Sequence, residues 1–220
     1  MRREARTVLM VATLLAAAAT AMAGIKDTKH DMSSANAGGA TYMSTNTDQI
    51  CVFCHTPHNA AQNIPLWNRD NPLGTTFALY TSSTTFDDKP ADNAFTSDSI
   101  SLFCMSCHDG TTGLGGAVHN DPNGVAITMD ADGDLIVGDA KLGTDLRNDH
   151  PVNFDVTGAD ATGIKAVVGN KIDGMPLFKS ARGSNTLECG SCHSVHDNTN
   201  APFLRNTMAG SALCLKCHIK

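Results

Sequence analysis

The stretch Cys189-Gly190-Ser191-Cys192-His193, followed after a short loop by Cys214-Leu215-Lys216-Cys217-His218, decides how the chain is read. Each has the form C-x-x-C-H, the attachment sequence of c-type haem. Thiols at this spacing can form thioethers to the two vinyl groups of one porphyrin. The His that follows supplies an axial iron ligand. The same form occurs at Cys51-Val52-Phe53-Cys54-His55 and at Cys104-Met105-Ser106-Cys107-His108, so four motifs use all eight cysteines. Zinc ribbons also use C-x-x-C pairs, but they need no His directly after each second Cys. A disulfide scaffold has no reason for equal internal spacing. The expectation is four c-type haems, held through Cys51, Cys54, Cys104, Cys107, Cys189, Cys192, Cys214 and Cys217. Their proximal ligands are His55, His108, His193 and His218.

Of nine histidines, five remain: His30, His58, His119, His150 and His196. Four of them fall into matching slots. The first half reads His30, then C-x-x-C-H-x-x-H over 51–58, then C-x-x-C-H over 104–108. The second reads His150, then the same two forms over 189–196 and 214–218. This repeated order suggests two dihaem lobes from a duplication. His30, His58, His150 and His196 are therefore assigned as distal iron ligands, with the haem each one serves left open. His119 fits no slot and is read as a solvated loop residue. Methionine is the rival ligand, with Met32, Met43, Met175 and Met208 among nine. An isolated Met more often packs than ligates. Two imidazoles keep the potential lower than a His/Met pair does, so low-potential bis-His haems are expected.

Residues 1–23 read as a secretory signal. Arg2, Arg3 and Arg6 form a basic end, Val8 to Ala19 an apolar run too short to cross a bilayer comfortably, and Ala21-Met22-Ala23 a small-residue cleavage site. No membrane span is expected after cleavage. Haem c is attached outside the cytoplasm, so an exported protein, periplasmic or at the cell surface, fits. Cleavage removes three Arg and one Glu, leaving 13 basic and 21 acidic residues, a formal charge of −8. Haem propionates add to it. Nucleic acid is an unsuitable partner, for no basic patch is there to neutralise phosphates. Basic redox partners and metal-bearing surfaces suit the charge better.

With aromatic residues at only 5%, a protein-only core would be thin. The predicted fold is a mostly irregular multihaem cytochrome, with short α-helices, a minor β-hairpin and porphyrins as the core. Its parts are a first dihaem lobe over 24–120, a loop and hairpin connection over 121–149, and a second dihaem lobe over 150–220. Ile100, Leu102 and Phe103 announce a short helix leading into 104–108, and residues 70–98 read as loop. Val125-Ala126-Ile127 and Leu135-Ile136-Val137 flank an Asp/Gly turn and predict the hairpin. A calcium loop at 130–134 is the sharper alternative, but its Gly is misplaced for an EF-hand and no bidentate Glu follows. A loop and short helix are expected before Cys189, and Trp67 is expected to pack at a haem edge.

Iron with two axial imidazoles has no open position, which favours electron transfer over catalysis; a substrate or water would need a vacant site. Few residues separate the later motifs, and His58 and His196 each hang off one motif while reaching for another iron, which implies closely packed haems. The strings Cys51-Val-Phe-Cys-His-Thr-Pro-His-Asn-Ala60, Phe103-Cys-Met-Ser-Cys-His-Asp-Gly110, Leu146-Arg-Asn-Asp-His-Pro-Val152 and Glu188-Cys-Gly-Ser-Cys-His-Ser-Val-His-Asp197 resemble those of multihaem cytochromes of metal-reducing bacteria and some archaea. In length, site count and order the chain is similar to the OmcE-type tetrahaem cytochromes. That resemblance implies subunits polymerised into an extracellular filament for long-range electron transfer. It also implies one distal His donated by the adjacent subunit, with His30 as the candidate. A monomeric periplasmic shuttle, and a nitrite or metal reductase with one open haem, are the alternatives. Other multihaem cytochromes, metal oxides and extracellular acceptors are the expected partners.

Overall fold

Backbone punctuation keeps every element short. In the computed structural model, which describes residues 24–61, 65–72, 75–80, 94–130, 134–159 and 162–220, the longest element has nine residues. The helices are α1 (Ile100–His108) and α2 (Cys189–Cys192). The strands are β1 (Ala78–Leu79), β2 (Asp145–Leu146), β3 (Phe154–Asp155), β4 (Lys171–Ile172), β5 (Met175–Pro176), β6 (Phe178–Ser180) and β7 (Gly183–Leu187). Single 3-10 turns at Cys51–Phe53 and Cys214–Lys216 complete what positions the site. Three more 3-10 turns lie at Pro122–Gly124, Gly138–Ala140 and Ala209–Ser211, and most of the remaining described chain is irregular, as expected. The predicted signal segment over 1–23 lies outside the described residues. No described helix is long and apolar enough to cross a membrane.

The hairpin forms elsewhere than predicted. Asp173 and Gly174, at φ 44 and 85°, make the two-residue turn between β4 and β5. Both positions are left-handed, which Asp-Gly tolerates and most pairs do not. β6 and β7 form a second hairpin, and β3 pairs on the other side of β7, giving the order β3-β7-β6. Strand rather than helix thus leads into Cys189. The stretches at 125–127 and 135–137 do not pair in the described residues. Residues 126–130 bond instead to 43–46, through Thr45 N–H to the Thr128 carbonyl at 2.8 Å and Asp130 N–H to the Met43 carbonyl at 2.8 Å. Asp134 is drawn away to the 114–115 turn, where its carboxylate accepts from Gly115 N–H at 2.6 Å. The calcium loop would need positions 131–133, which lie outside the described residues. Within 70–98, the predicted loop, Ala78–Leu79 pairs in parallel with Asp145–Leu146.

Apolar packing is divided into three small clusters. Met32, Val52, Phe53, Leu114, Ile127 and Ile136 form the first, with Cys54 and Cys107 against it. Phe77, Leu79, Leu102, Met105 and Leu146 form the second under α1. Phe154, Val156, Ile172, Leu177 and Leu187 form the third, with Cys217 against it. Three of the eight cysteines thus lie on cluster surfaces, and no single continuous core holds the described chain.

One carboxylate joins the two helices. Glu188 is 1% exposed. Its Oε2 accepts from the Ser99 hydroxyl at 2.7 Å, the Ser101 N–H at 3.2 Å and the Ser101 hydroxyl at 2.5 Å, all at the start of α1. The same Glu caps α2 in a reciprocal box with Ser191, and Cys189 N–H donates to the Ser101 hydroxyl at 3.0 Å. Burial raises the carboxyl pKa, and the serine bonds only partly oppose this. A raised folded-state pKa stabilises at low pH and ceases to do so as pH rises through it. Glu188→Ala, which strips Ser99 and Ser101 of their acceptor, is expected to cost about 1–3 kcal/mol in denaturant titration followed by circular dichroism. Against Glu188→Gln, the wild type is expected to lose relative stability as pH rises above the ordinary carboxylate range.

Candidate functional site

Every C-x-x-C-H motif is one helical turn. His55 N–H donates to the Cys51 carbonyl at 2.8 Å, His193 to Cys189 at 3.0 Å and His218 to Cys214 at 2.9 Å. The second motif lies wholly within α1. On such a turn, residues three and four apart share a face. Both thiols and the imidazole are thereby brought to one side. None of the eight cysteines is in a disulfide. Burial pushes Cys54 up to about 12 and Cys192 up to about 11, and also raises Cys107 and Cys217. A redox dithiol needs the opposite, a lowered thiol. Cys189 alone is lowered, by a bond with Cys104, whose own thiol is raised by that contact. Among the described residues no three His, Cys, Asp or Glu converge on a metal-sized site, unlike the cysteine cluster of a zinc ribbon.

The imidazoles form pairs across gaps. His55 faces His196 at 6.1 Å between ring centroids, His108 faces His30 at 6.1 Å, and His218 faces His150 at 6.3 Å. The separation fits an iron in between. Metal–imidazole bonds of about 2 Å plus a ring radius of roughly 1 Å on each side give about 6 Å. The ring tautomers also fit. Nδ1 of His55 bonds the Pro65 carbonyl at 2.7 Å, that of His108 the Ala140 carbonyl at 2.7 Å and that of His193 the Pro202 carbonyl at 3.1 Å. A carbonyl only accepts, so Nδ1 carries the proton and Nε2 keeps its lone pair for a metal. His150 Nδ1 reaches the Pro151 carbonyl at 3.0 Å in the same way. Burial lowers His30 to about 4 and also lowers His196, which keeps both in the neutral, ligating form.

Three of the expected proximal histidines are thus each brought to one expected distal histidine, a pairing that the sequence left open, while His193 and His58 remain. Both are exposed; among the described residues neither has an imidazole facing it as in the three pairs, although His193 lies close enough to His30 to act on its charge. His30 faces His108 inside its own chain at 6.1 Å and stacks on Phe203 at 4.5 Å. His119 is exposed in a loop, with its Nδ1 3.3 Å from Asp70. Trp67 stacks on Phe103 at 5.1 Å and meets the edge of His55 at 6.1 Å, beside the first motif. Met32 and Met175 are buried packing residues and Met208 is exposed.

Residues between the motifs, which sequence patterning does not reveal, hold them in order. Asn68 is fully buried and donates from Nδ2 to the Val52 carbonyl at 2.7 Å, inside the first motif, and to the Asn120 carbonyl at 3.1 Å. The next residue, Arg69, grips Ser106 inside the second motif. Cys104 and Cys189 are in contact, joining the second motif to the third, and Cys192 lies near Cys214 and Cys217, joining the third to the fourth. Two adjacent polar residues in Pro65-Leu-Trp-Asn-Arg69, and a carboxylate directly before Cys189, are the signals the sequence offers for them.

Residues 183–220 match the family described as the doubled CXXCH motif. The match takes in β7, α2 and the last two motifs. It marks a haem-binding electron-transfer protein, a c-type cytochrome of the multihaem kind. No curated protein matches the chain. Asn68→Ala is expected to destabilise the chain by about 1–3 kcal/mol in denaturant titration, since it leaves the Val52 carbonyl and Asn120 N–H without partners.

Proposed function

We propose that the protein is an exported tetrahaem cytochrome that passes electrons along four bis-imidazole haems, and that copies join head to tail into an extracellular filament. The eight cysteines would hold the haems through thioethers. His55/His196, His108/His30 and His218/His150 would be three axial pairs. When bound, each haem supplies a one-electron Fe(III)/Fe(II) couple. The chain's part is to hold the four motifs next to one another in sequence order, through Asn68 and Arg69, then Cys104 against Cys189, then Cys192 near Cys217. With both axial positions filled by protein, substrate has nowhere to bind, so a carrier is favoured over an enzyme.

The single observation that carries the filament is the remainder. One proximal ligand, His193, has no imidazole partner among the described residues of its chain, and one distal candidate, His58, stands exposed with no iron to serve. Donation of His58 from one copy to His193 of the next closes both at once. Charge supports that polarity. Residues 24–149, which hold His58, carry 6 basic and 16 acidic residues, whereas residues 150–220, which hold His193, carry 7 and 5. Oppositely charged ends steer head-to-tail association. Other multihaem cytochromes and oxidised metal surfaces would be donors and acceptors at the filament ends.

The same remainder supports a second reading. In a monomer the His193 iron keeps an open position, which suits a reductase of nitrite or metal. Electron microscopy and sizing of the native particle separate the two. Polymers with every haem low-spin are expected, and Ala in place of His58 is expected to abolish them and turn one haem in four high-spin. Monomers with one high-spin haem before any substitution, and turnover on nitrite, would establish the reductase instead.

A further inference from the structure

Arg69 is the largest side chain in the described protein with no exposed surface. Its guanidinium is held by oxygen dipoles alone. Nε donates to the Ser106 hydroxyl at 3.3 Å, Nη1 to the Leu114 carbonyl at 2.5 Å, and Nη2 to the Ser106 and Gly113 carbonyls at 3.1 and 2.6 Å. Among the described residues no carboxylate pairs with it. An arginine stays charged at every working pH. A buried cation without a counter-ion is costly to keep; the oxygen acceptors offset part of that cost without neutralising the charge.

Its location gives the charge a use. Arg69 follows Asn68, which is bonded inside the first attachment motif, and itself grips Ser106 inside the second. Its charge is felt at both Cys54 and Cys107. Asp109 and Asp134 act on Cys107 in the opposite sense; Asp109 is buried and its bonds from Thr111 and Thr112 favour the ionised form, so it offsets part of the Arg69 effect at the second motif. The buried acid Glu188 lies between the second and third motifs and acts on both Cys104 and Cys189. Arg69 thus sits at the junction of the first and second motifs, and Glu188 at the junction of the second and third.

We propose that the buried Arg69 guanidinium raises the reduction potential of the two haems attached at 51–55 and 104–108 above that of the pair attached at 189–193 and 214–218. The inference rests on the four-haem reading above. Reduction adds one electron to a ferric site and lowers its charge by one. No bond or proton is exchanged. A fixed cation in a low-dielectric surrounding favours that reduced form, and net charge is one of the known settings of haem potential. Electrons entering the chain would then settle at its N-terminal pair, giving each subunit a direction. Burial also means that salt screens the effect little.

The test is an optical redox titration of the assembled holoprotein, with dithionite as reductant and ferricyanide as oxidant, for wild type, Arg69→Gln and Arg69→Lys. The haem count is read separately by mass. With four haems present, Arg69→Gln is expected to move two of the four steps to more negative potential, with low-spin spectra retained. Arg69→Lys, which keeps the charge and loses the fork, is expected to leave the steps near wild type. Unmoved steps in Arg69→Gln, an equal shift of all four, or a shift in Arg69→Lys as large as in Gln would overturn the proposal. If the variants do not assemble, haem-resolved NMR titration of the wild type decides: the N-terminal pair must be reduced first, and the reverse order refutes it. Fewer than four haems sinks the earlier reading instead.

Discussion

A single helical turn, repeated four times, is the constraint from which the rest follows. It ties each motif's His N–H to the carbonyl of its first Cys, and so turns two thiols and one imidazole to the same side. Once that side is fixed, the opposite imidazole must arrive from elsewhere in the chain at a separation of about 6 Å, set by two metal–nitrogen bonds and two rings. Three long-range meetings, 196 with 55, 30 with 108 and 150 with 218, satisfy this distance. The loops between them have no reason to be regular. They have only to be long enough to deliver a histidine, which is why so little of the described chain is helix or strand.

The interior is correspondingly unusual for a chain of this size. Apolar side chains form three small groups rather than one, and cysteines lie against two of them. Polar and charged residues take over joining work that a larger core would do. Asn68 and Arg69 fasten the first motif to the second, and Glu188 fastens the second helix to the first. In a thin core such bonds matter more, because an unpartnered buried polar group costs more than a paired one contributes. In the proposed reading the porphyrins supply the missing apolar mass.

Much of the site is legible in the sequence alone. The C-x-x-C-H spacing is a covalent requirement, so it survives any fold. The histidine slots are legible because a repeat displays them twice. Pairing is not, since the facing imidazoles lie 68 to 141 positions apart and nothing local records which loop returns to which motif. His30 looks like a free terminal residue by position alone, yet burial against Phe203 keeps it beside His108. The hairpin falls elsewhere for a similar reason. Residues 125–137 read locally as a hairpin, but a stretch far upstream, 43–46, offers the better partner. The strands before Cys189 escape notice because their residues, rich in Ser, Asn and Lys, carry no apolar alternation. Asn68, Arg69 and Glu188 act through single bonds, which composition does not reveal.

The most direct measurement is low-temperature electron paramagnetic resonance, with near-infrared magnetic circular dichroism, on the native assembled protein. The account predicts four low-spin ferric haems per chain, every one with two imidazoles and none with a methionine band. A native polymer in which one or more irons were high-spin or methionine-bound would contradict it.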